Sequence, residues 1–294
     1  MNPAVLRRSV IATRRGVMLI ALGLLALFCA DASRAPASVT IYGSVYTSGG
    51  LATLYTIDST TGAGTVIGTG MGFKQVGAID LDPVSGTLYG IGRRAGGNAS
   101  VLITISTTTG VGTEVGPTGL TENVSDISFR SDGSLFALDR TAAFFSISTL
   151  SGGATFIGYG NNAIISQGDA LAFSPGDVLY RATATPPTLR TKDPSTADET
   201  EVATMDYSPL TSQSDVPRPN GMDFEVATGI LWASIKSNSA NYLATIDTSN
   251  GDVSYVGTTV AGLDALAVAA VPEPGHLALF GIGAVVVLAR RRRG

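Results

Sequence analysis

The chain has one cysteine and one histidine in 294 residues, at Cys29 and His276. Both fall in the terminal segments, so the long stretch from Ser38 to Val271 contains neither. That absence excludes disulfides, cysteine nucleophiles, Ser-His-Asp triads and zinc or copper sites built on His or Cys in that stretch. Charge is also sparse, at 14% of residues. Any chemistry there would rest on carboxylates, hydroxyls, Lys, Arg, Tyr or a bound hard cation.

What charge there is has an uneven distribution. From Ser38 to Val271 there are 10 Lys and Arg against 21 Asp and Glu, a net −11 that the whole-chain value of −4 conceals. Such a domain repels phosphate backbones, so no nucleic-acid partner is expected. Divalent cations or basic partners fit its charge better. Gly is abundant, at 36 residues, and with short Ser and Thr runs it points to a β-rich chain with many tight turns.

The N-terminus reads basic, apolar, then small. Arg7, Arg8, Arg14 and Arg15 precede the apolar run from Gly16 to Phe28, the order of a secretory signal peptide. Cleavage sites of the A-x-A kind occur at Ala30-Asp31-Ala32 and at Ala35-Pro36-Ala37. The second, with Ala35 and Ala37, is preferred because strand patterning begins at Val39. Residues 1–37 are therefore expected to be the signal peptide, residues 38–271 the folded domain, and residues 272–294 a separate tail.

The domain contains a repeat. LYTIDSTTGAGTVIG from Leu54, LITISTTTGVGTEVG from Leu102, FFSISTLSGGATFIG from Phe144 and YLATIDTSNGDVSYVG from Tyr242 each alternate, turn at a Gly and finish in Val/Ile-Gly, as β-hairpins do. TLRTKDPSTADETEVA from Thr188 is a fifth copy that loses the Gly and gains charge. A second strand pair precedes each of the last four hairpins, as in VGAIDLDPVSGTLYGIG from Val76. Anchors at Ile57, Ile105, Ile147, Lys192 and Ile246 are 48, 42, 45 and 54 residues apart, near the period of β-propeller blades. The first unit lacks an opening strand, and GLDALAVAA from Gly262 is left over after the fifth. Placed beside the strand at Val39, it closes a ring. The expectation is an all-β chain with a single five-bladed propeller, flanked by an N-terminal signal helix and a C-terminal transmembrane helix. A six-bladed ring and an open β-sandwich are the alternatives.

Asp80, Asp126, Asp169, Asp223 and Asp264 fall on or at the entry of the strands placed innermost. Carboxylates and carbonyls lining a propeller channel suit Ca²⁺, which makes these five the metal candidates. Their registers differ by a residue or two, so not all can point inward. No other cofactor is implied and no catalytic residue stands out. Asp58, Asp82, Asp132, Asp177 and Asp247 sit in or beside turns and are expected to cap turn amides. Trp232 is expected to pack between blades, and Arg93-Arg94 to lie in a solvated loop.

The tail reads Val271-Pro272-Glu273-Pro274, then an apolar span from Leu277 to Ala289, then Arg290, Arg291, Arg292 and Arg293. The span is short for a hydrocarbon core of about 30 Å, and the arginines hold the C-terminus on the cytoplasmic side. This combination, on a chain that also opens with a signal peptide, resembles the PEP-CTERM sorting signal of Gram-negative bacteria. The resemblance implies export, a transient inner-membrane anchor, recognition by exosortase and delivery to the cell surface or extracellular matrix, in an exopolysaccharide or biofilm setting. The middle of the chain is similar to bacterial propeller-type domains with LYxIDxxTG hairpins, a likeness of fold and not of activity. A non-catalytic module that binds exopolysaccharide or matrix proteins is the leading expectation, ahead of a divalent-cation-dependent hydrolase or lactonase-like enzyme using channel carboxylates. A third possibility is a structural matrix component needing no ligand.

Overall fold

A computed structural model describes residues 39–46, 50–161, 164–165, 169–208, 217–238 and 240–269. The expected signal peptide with Ala35 and Ala37, and the tail with Val271–Pro274 and Arg290–Arg293, lie outside the described residues. Among the described residues there are twenty strands, no α-helix, and no helix long and apolar enough to cross a membrane.

The strands form five four-stranded antiparallel sheets. Blade 2 holds β4 (Phe73–Leu81), β5 (Leu88–Arg94), β6 (Ser100–Ile105) and β7 (Gly112–Pro117). Blade 3 holds β8 (Val124–Phe129), β9 (Leu135–Asp139), β10 (Phe144–Ile147) and β11 (Ala154–Gly158). Blade 4 holds β12 (Asp169–Phe173), β13 (Leu179–Thr183), β14 (Thr188–Lys192) and β15 (Glu199–Thr204), and blade 5 holds β16 (Arg218–Phe224), β17 (Leu231–Lys236), β18 (Asn241–Ile246) and β19 (Val253–Thr258). Blade 1 joins the two ends of the described chain. Its order is β20 (Leu263–Ala269), β1 (Thr40–Val45), β2 (Thr53–Ile57) and β3 (Gly64–Ile67). The innermost strands touch in the cycle β20, β4, β8, β12, β16 and back to β20. The protein is a five-bladed β-propeller closed by its terminal strands.

The apolar core is divided among the blade interfaces. Five clusters of buried side chains occur among the described residues, one between each pair of neighbours, as in Leu54, Met71, Ile79 and Ile103 between blades 1 and 2. The residues driving this are the inward half of the strand alternation, which removes apolar area from water at roughly 25 cal/mol per Å². Trp232 packs between blades 5 and 1 with Ile41 and Leu266, and its Nε1 donates to Glu225 Oε2 at 3.4 Å. One position recurs around the ring. Tyr42, Tyr89, Phe136, Tyr180 and Trp232 face Ala267, Asp80, Ser128, Ala172 and Asp223 across the first ladder of each blade.

The hairpin glycines have a rim function. The hairpin-turn residue is left-handed in all five copies, from φ 67° at Ala197 to 81° at Gly251, a conformation Gly adopts without steric cost. Blade 4, whose copy lost its Gly, forces Ala197 into it. The second Gly closes against the next blade's turn. Gly68 meets the carbonyl of Thr109, Gly116 that of Ser151, Gly158 that of Thr196 and Gly257 that of Thr61. Arg93 and Arg94 correct the loop expectation. Both are the last residues of β5, with Arg93 paired to Lys74 and Ser100 and Arg94 ion-paired to Glu114 on β7.

Candidate functional site

The innermost strand of a propeller blade pairs on one side only, so its channel-facing amides lack a ladder partner. Buried amides need acceptors. At the end of the channel where the innermost strands finish, five equivalent residues ring the opening: Leu81, Phe129, Phe173, Phe224 and Val268. Their N–H groups are all satisfied by side chains. Asp80 Oδ1 accepts from Leu81 at 2.7 Å and Asp80 Oδ2 from Phe129 at 2.6 Å. Ser128 Oγ accepts from Phe173 at 2.9 Å. Asp223 Oδ1 accepts from Phe224 at 2.7 Å and Asp223 Oδ2 from Val268 at 2.6 Å. Two carboxylates and one hydroxyl thus supply five acceptors to five amides, and three of the bonds cross from one blade to the next.

Above this ring lies a cavity of about 330 Å³, walled by Tyr42, Phe129, Phe173 and Phe224 with Asp80 and Asp223 at its floor. The rim carries Asp82, Thr107, Ser131 and Ser174. None of the lining residues is Lys or Arg. Asp80 and Asp223 face each other from β4 and β16, which are not neighbours in the ring, and one carboxyl can hydrogen-bond the other. Burial pushes the Asp80 carboxyl well above the usual carboxylate range, and the facing Asp223 adds to it. Burial raises Asp223 to about 7.

The other candidates separate. Asp126 lies one layer deeper, wholly buried, with Oδ1 accepting from Ile127 and Oδ2 from Leu171, both at 2.9 Å. Desolvation raises its pKa strongly. Asp169 turns into blade 4, where Arg181 bridges it at 2.9 Å and Glu199 at 2.7 Å, while Lys192 holds Glu199 at 2.9 Å. All four of these side chains are shielded from solvent. Asp264 accepts from Asn220 Nδ2 at 2.9 Å and from Tyr46, beside a small pocket of about 40 Å³. Burial raises it to about 6 and raises Tyr46 to about 12. Among the described residues no three His, Cys, Asp or Glu side chains are grouped to hold a metal ion. The five aspartates all sit on innermost strands, yet the fold brings together Asp80 and Asp223 at the mouth, with Asp126 beneath them, and sends Asp169 and Asp264 elsewhere.

The turn aspartates behave as expected with one exception. Asp58, Asp82, Asp132 and Asp247 accept amides two residues on in their own turns. Asp177 instead accepts the N–H and hydroxyl of Ser131, tying blade 4 to blade 3. Two groups escape a reading of the sequence. Ser128 carries no charge to attract notice, although aligning the repeats places it level with Asp80 and Asp223. Arg181 occupies a position that is Gly43, Gly90, Ala137 and Ala233 in the other blades, and that departure was the available signal.

Residues 270–293 match the model of the PEP-CTERM protein-sorting motif. The chain carries a PEP-CTERM signal. The PEP-CTERM match implies export, a membrane-anchored transit state and recognition by exosortase. No curated protein matches the chain. Several solved structures are similar to the chain. A Bacteroides thetaiotaomicron protein of unknown function is 16% identical, with a TM-score of 0.50 over 76% of this chain and 59% of its own. TolB from Acinetobacter baumannii is 10% identical with a TM-score of 0.48 over 76% of this chain, which spans 54% of TolB. A gluconolactonase from Xanthomonas campestris is 13% identical with a TM-score of 0.45 over 78% of this chain and 79% of its own. At these identities the likeness concerns the fold alone.

Proposed function

We propose that the exported protein is a non-catalytic binding module of the cell surface or extracellular matrix, which holds exopolysaccharide at the channel mouth of its propeller. One observation carries this reading: all four carboxylate oxygens of Asp80 and Asp223 hold backbone amides of the ring. A carboxylate that moved to attack a substrate would leave buried amides without acceptors, each costing about 1–3 kcal/mol. The mouth is therefore stiff, which favours recognition over turnover. Its aromatic wall and hydroxyl rim match the apolar faces and hydroxyls of sugars. The absence of Cys and His between Ser38 and Val271 points the same way.

The test is retention of exopolysaccharide on the immobilised full-length chain, compared with Val226→Trp. Val226 lines the mouth and is 57% exposed, so the indole fills the opening without disturbing the core. Loss of retention in the variant supports the reading. Unchanged retention, or cation-dependent turnover of lactones or esters by the wild-type chain, overturns it.

A further inference from the structure

We propose that the channel mouth takes a primary ammonium carried on a free amino sugar, seated against the Asp80 and Asp223 pair in the cavity bordered by Tyr42, Phe129, Phe173 and Phe224. This rests on the channel mouth being the binding site.

Charge is the first argument. Asp80, Asp82 and Asp223 line the cavity with no basic side chain among the lining residues, so an anion is repelled and a cation can take the place of a proton held by the buried pair. Acceptor geometry is the second. A carboxylate offers about four lone-pair sites, and each of these two spends one per oxygen on a ring amide. With one further site taken by the hydrogen bond between the two carboxyls, lone-pair sites remain for a ligand at the floor. An ammonium brings three donors to two acids that otherwise have to share a proton.

The walls and size narrow the skeleton. Phe129, Phe173 and Phe224 are buried in the blade interfaces and give the cavity an apolar border, while the half-buried Tyr42 is the ring placed to lie beside an ammonium or the C–H face of a sugar. A volume of about 330 Å³ is at the small end of ligand sites and suits one ring better than a chain of several. Hydroxyls of Thr107, Ser131 and Ser174 stand at the rim, where the hydroxyls of a seated hexosamine emerge. Acetylation of the amine removes both the charge and two of the three donors.

Titration calorimetry of the full-length chain in mild detergent at pH 7.5 tests this with glucosamine, N-acetylglucosamine and glucose. Glucosamine is expected to bind at least tenfold more tightly than either neutral sugar, with the preference shrinking at high salt and abolished in Asp223→Asn. The salt series needs no variant, so it decides the matter even where Asp223→Asn folds poorly. Equal affinity for the three sugars overturns the ammonium proposal and leaves the channel mouth standing as a sugar site. Glucosamine binding that survives Val226→Trp overturns both. No binding of any of the three overturns the ammonium proposal, and the polysaccharide retention assay then decides the mouth itself.

Discussion

Asp80 Oδ2 on β4 accepts the backbone N–H of Phe129 on β8 at 2.6 Å, fastening blade 2 to blade 3 at the channel. The same carboxylate holds Leu81 through its other oxygen, so no neutral amide replaces it. Asn offers one acceptor oxygen and turns an NH₂ toward a backbone N–H. Asp80→Asn is expected to cost about 2 kcal/mol and Asp80→Ala about 3, against about 1 for Ser128→Ala, which strands only Phe173. Urea unfolding midpoints of the three variants check the order, and an Asp80→Asn midpoint at or above wild type would falsify the bridging role.

The pH dependence follows from the direction of the buried shifts. Asp223 and Asp169 are raised to about 7 and Asp264 to about 6, each chiefly by desolvation, and Asp80 and Asp126 are raised as well. The folded state binds more protons than the unfolded chain between about pH 4 and 7, so these groups contribute stability that falls as pH rises through that window. The turn carboxylates act oppositely. Hydroxyl and amide hydrogen bonds lower Asp58 to about 2, and Asp193 and Asp247 are also lowered, contributions lost on acidification below about pH 4. Melting curves are therefore expected to peak near pH 5 and to show lower midpoints at pH 8.

Blade 4 carries ions where its sisters carry hydrocarbon. Lys192 stands level with Ile57, Ile105, Ile147 and Ile246, and its partner Glu199 with Gly64, Gly112, Ala154 and Val253. Arg181→Ala leaves Asp169 and Glu199 buried beside one lysine and is expected to cost about 3–5 kcal/mol. Replacing the set together, with Arg181→Ala, Lys192→Ile, Glu199→Ala and Asp169→Ser, gives the first three positions residues found at those places in other blades and should recover most of that loss. A combined variant no more stable than Arg181→Ala in chemical denaturation argues against the ions being exchangeable for apolar packing.

The rim glycines set a steric limit. A methyl group at Gly116 overlaps the carbonyl of Ser151, and one at Gly251 stands 2.7 Å from the carbonyl of Thr204. Gly116→Ala is expected to lower stability by about 1–3 kcal/mol by spreading blades 2 and 3. Gly96→Ala, with open space around its Cα, is the control and should leave the thermal midpoint within a degree or two.

Sorting through the PEP-CTERM signal predicts a processed product. Mass spectrometry of the extracellular protein should find a C-terminus near Pro272–Pro274. Recovery of the intact Arg290–Arg293 sequence from that fraction would contradict exosortase processing.

Much of this architecture was legible in the chain. Ile57, Ile105, Ile147, Lys192 and Ile246 each prove to be the last residue of the third strand of a blade, because alternation and turn chemistry are local and repeat with the blade. The closing strand was legible too, since an unpaired apolar strand at Gly262 had one open place to go. The mouth was less so. Asp80 and Asp223 are 143 positions apart, and nothing local marks them as partners while Asp169 and Asp264 diverge.

The sequence by itself determined the strand spacing, the all-β repeat and the sorting tail, which follow from short-range periodicity and composition, and the structure chose five closed blades over a six-bladed ring or an open sandwich. Only the tertiary structure decided which aspartates meet. Register shifts interrupt the innermost ladders between Lys74 and Ala78, Val124 and Asp126, Pro219 and Gly221, and Ser44 and Val45. A slip of one residue sends a strand side chain to the opposite face. The ladder of β12 has no such shift, so alternation alone turns Asp169 away from the mouth, and which carboxylates meet was decided by the unpaired amides of the closed ring, which exist only once five blades stand together.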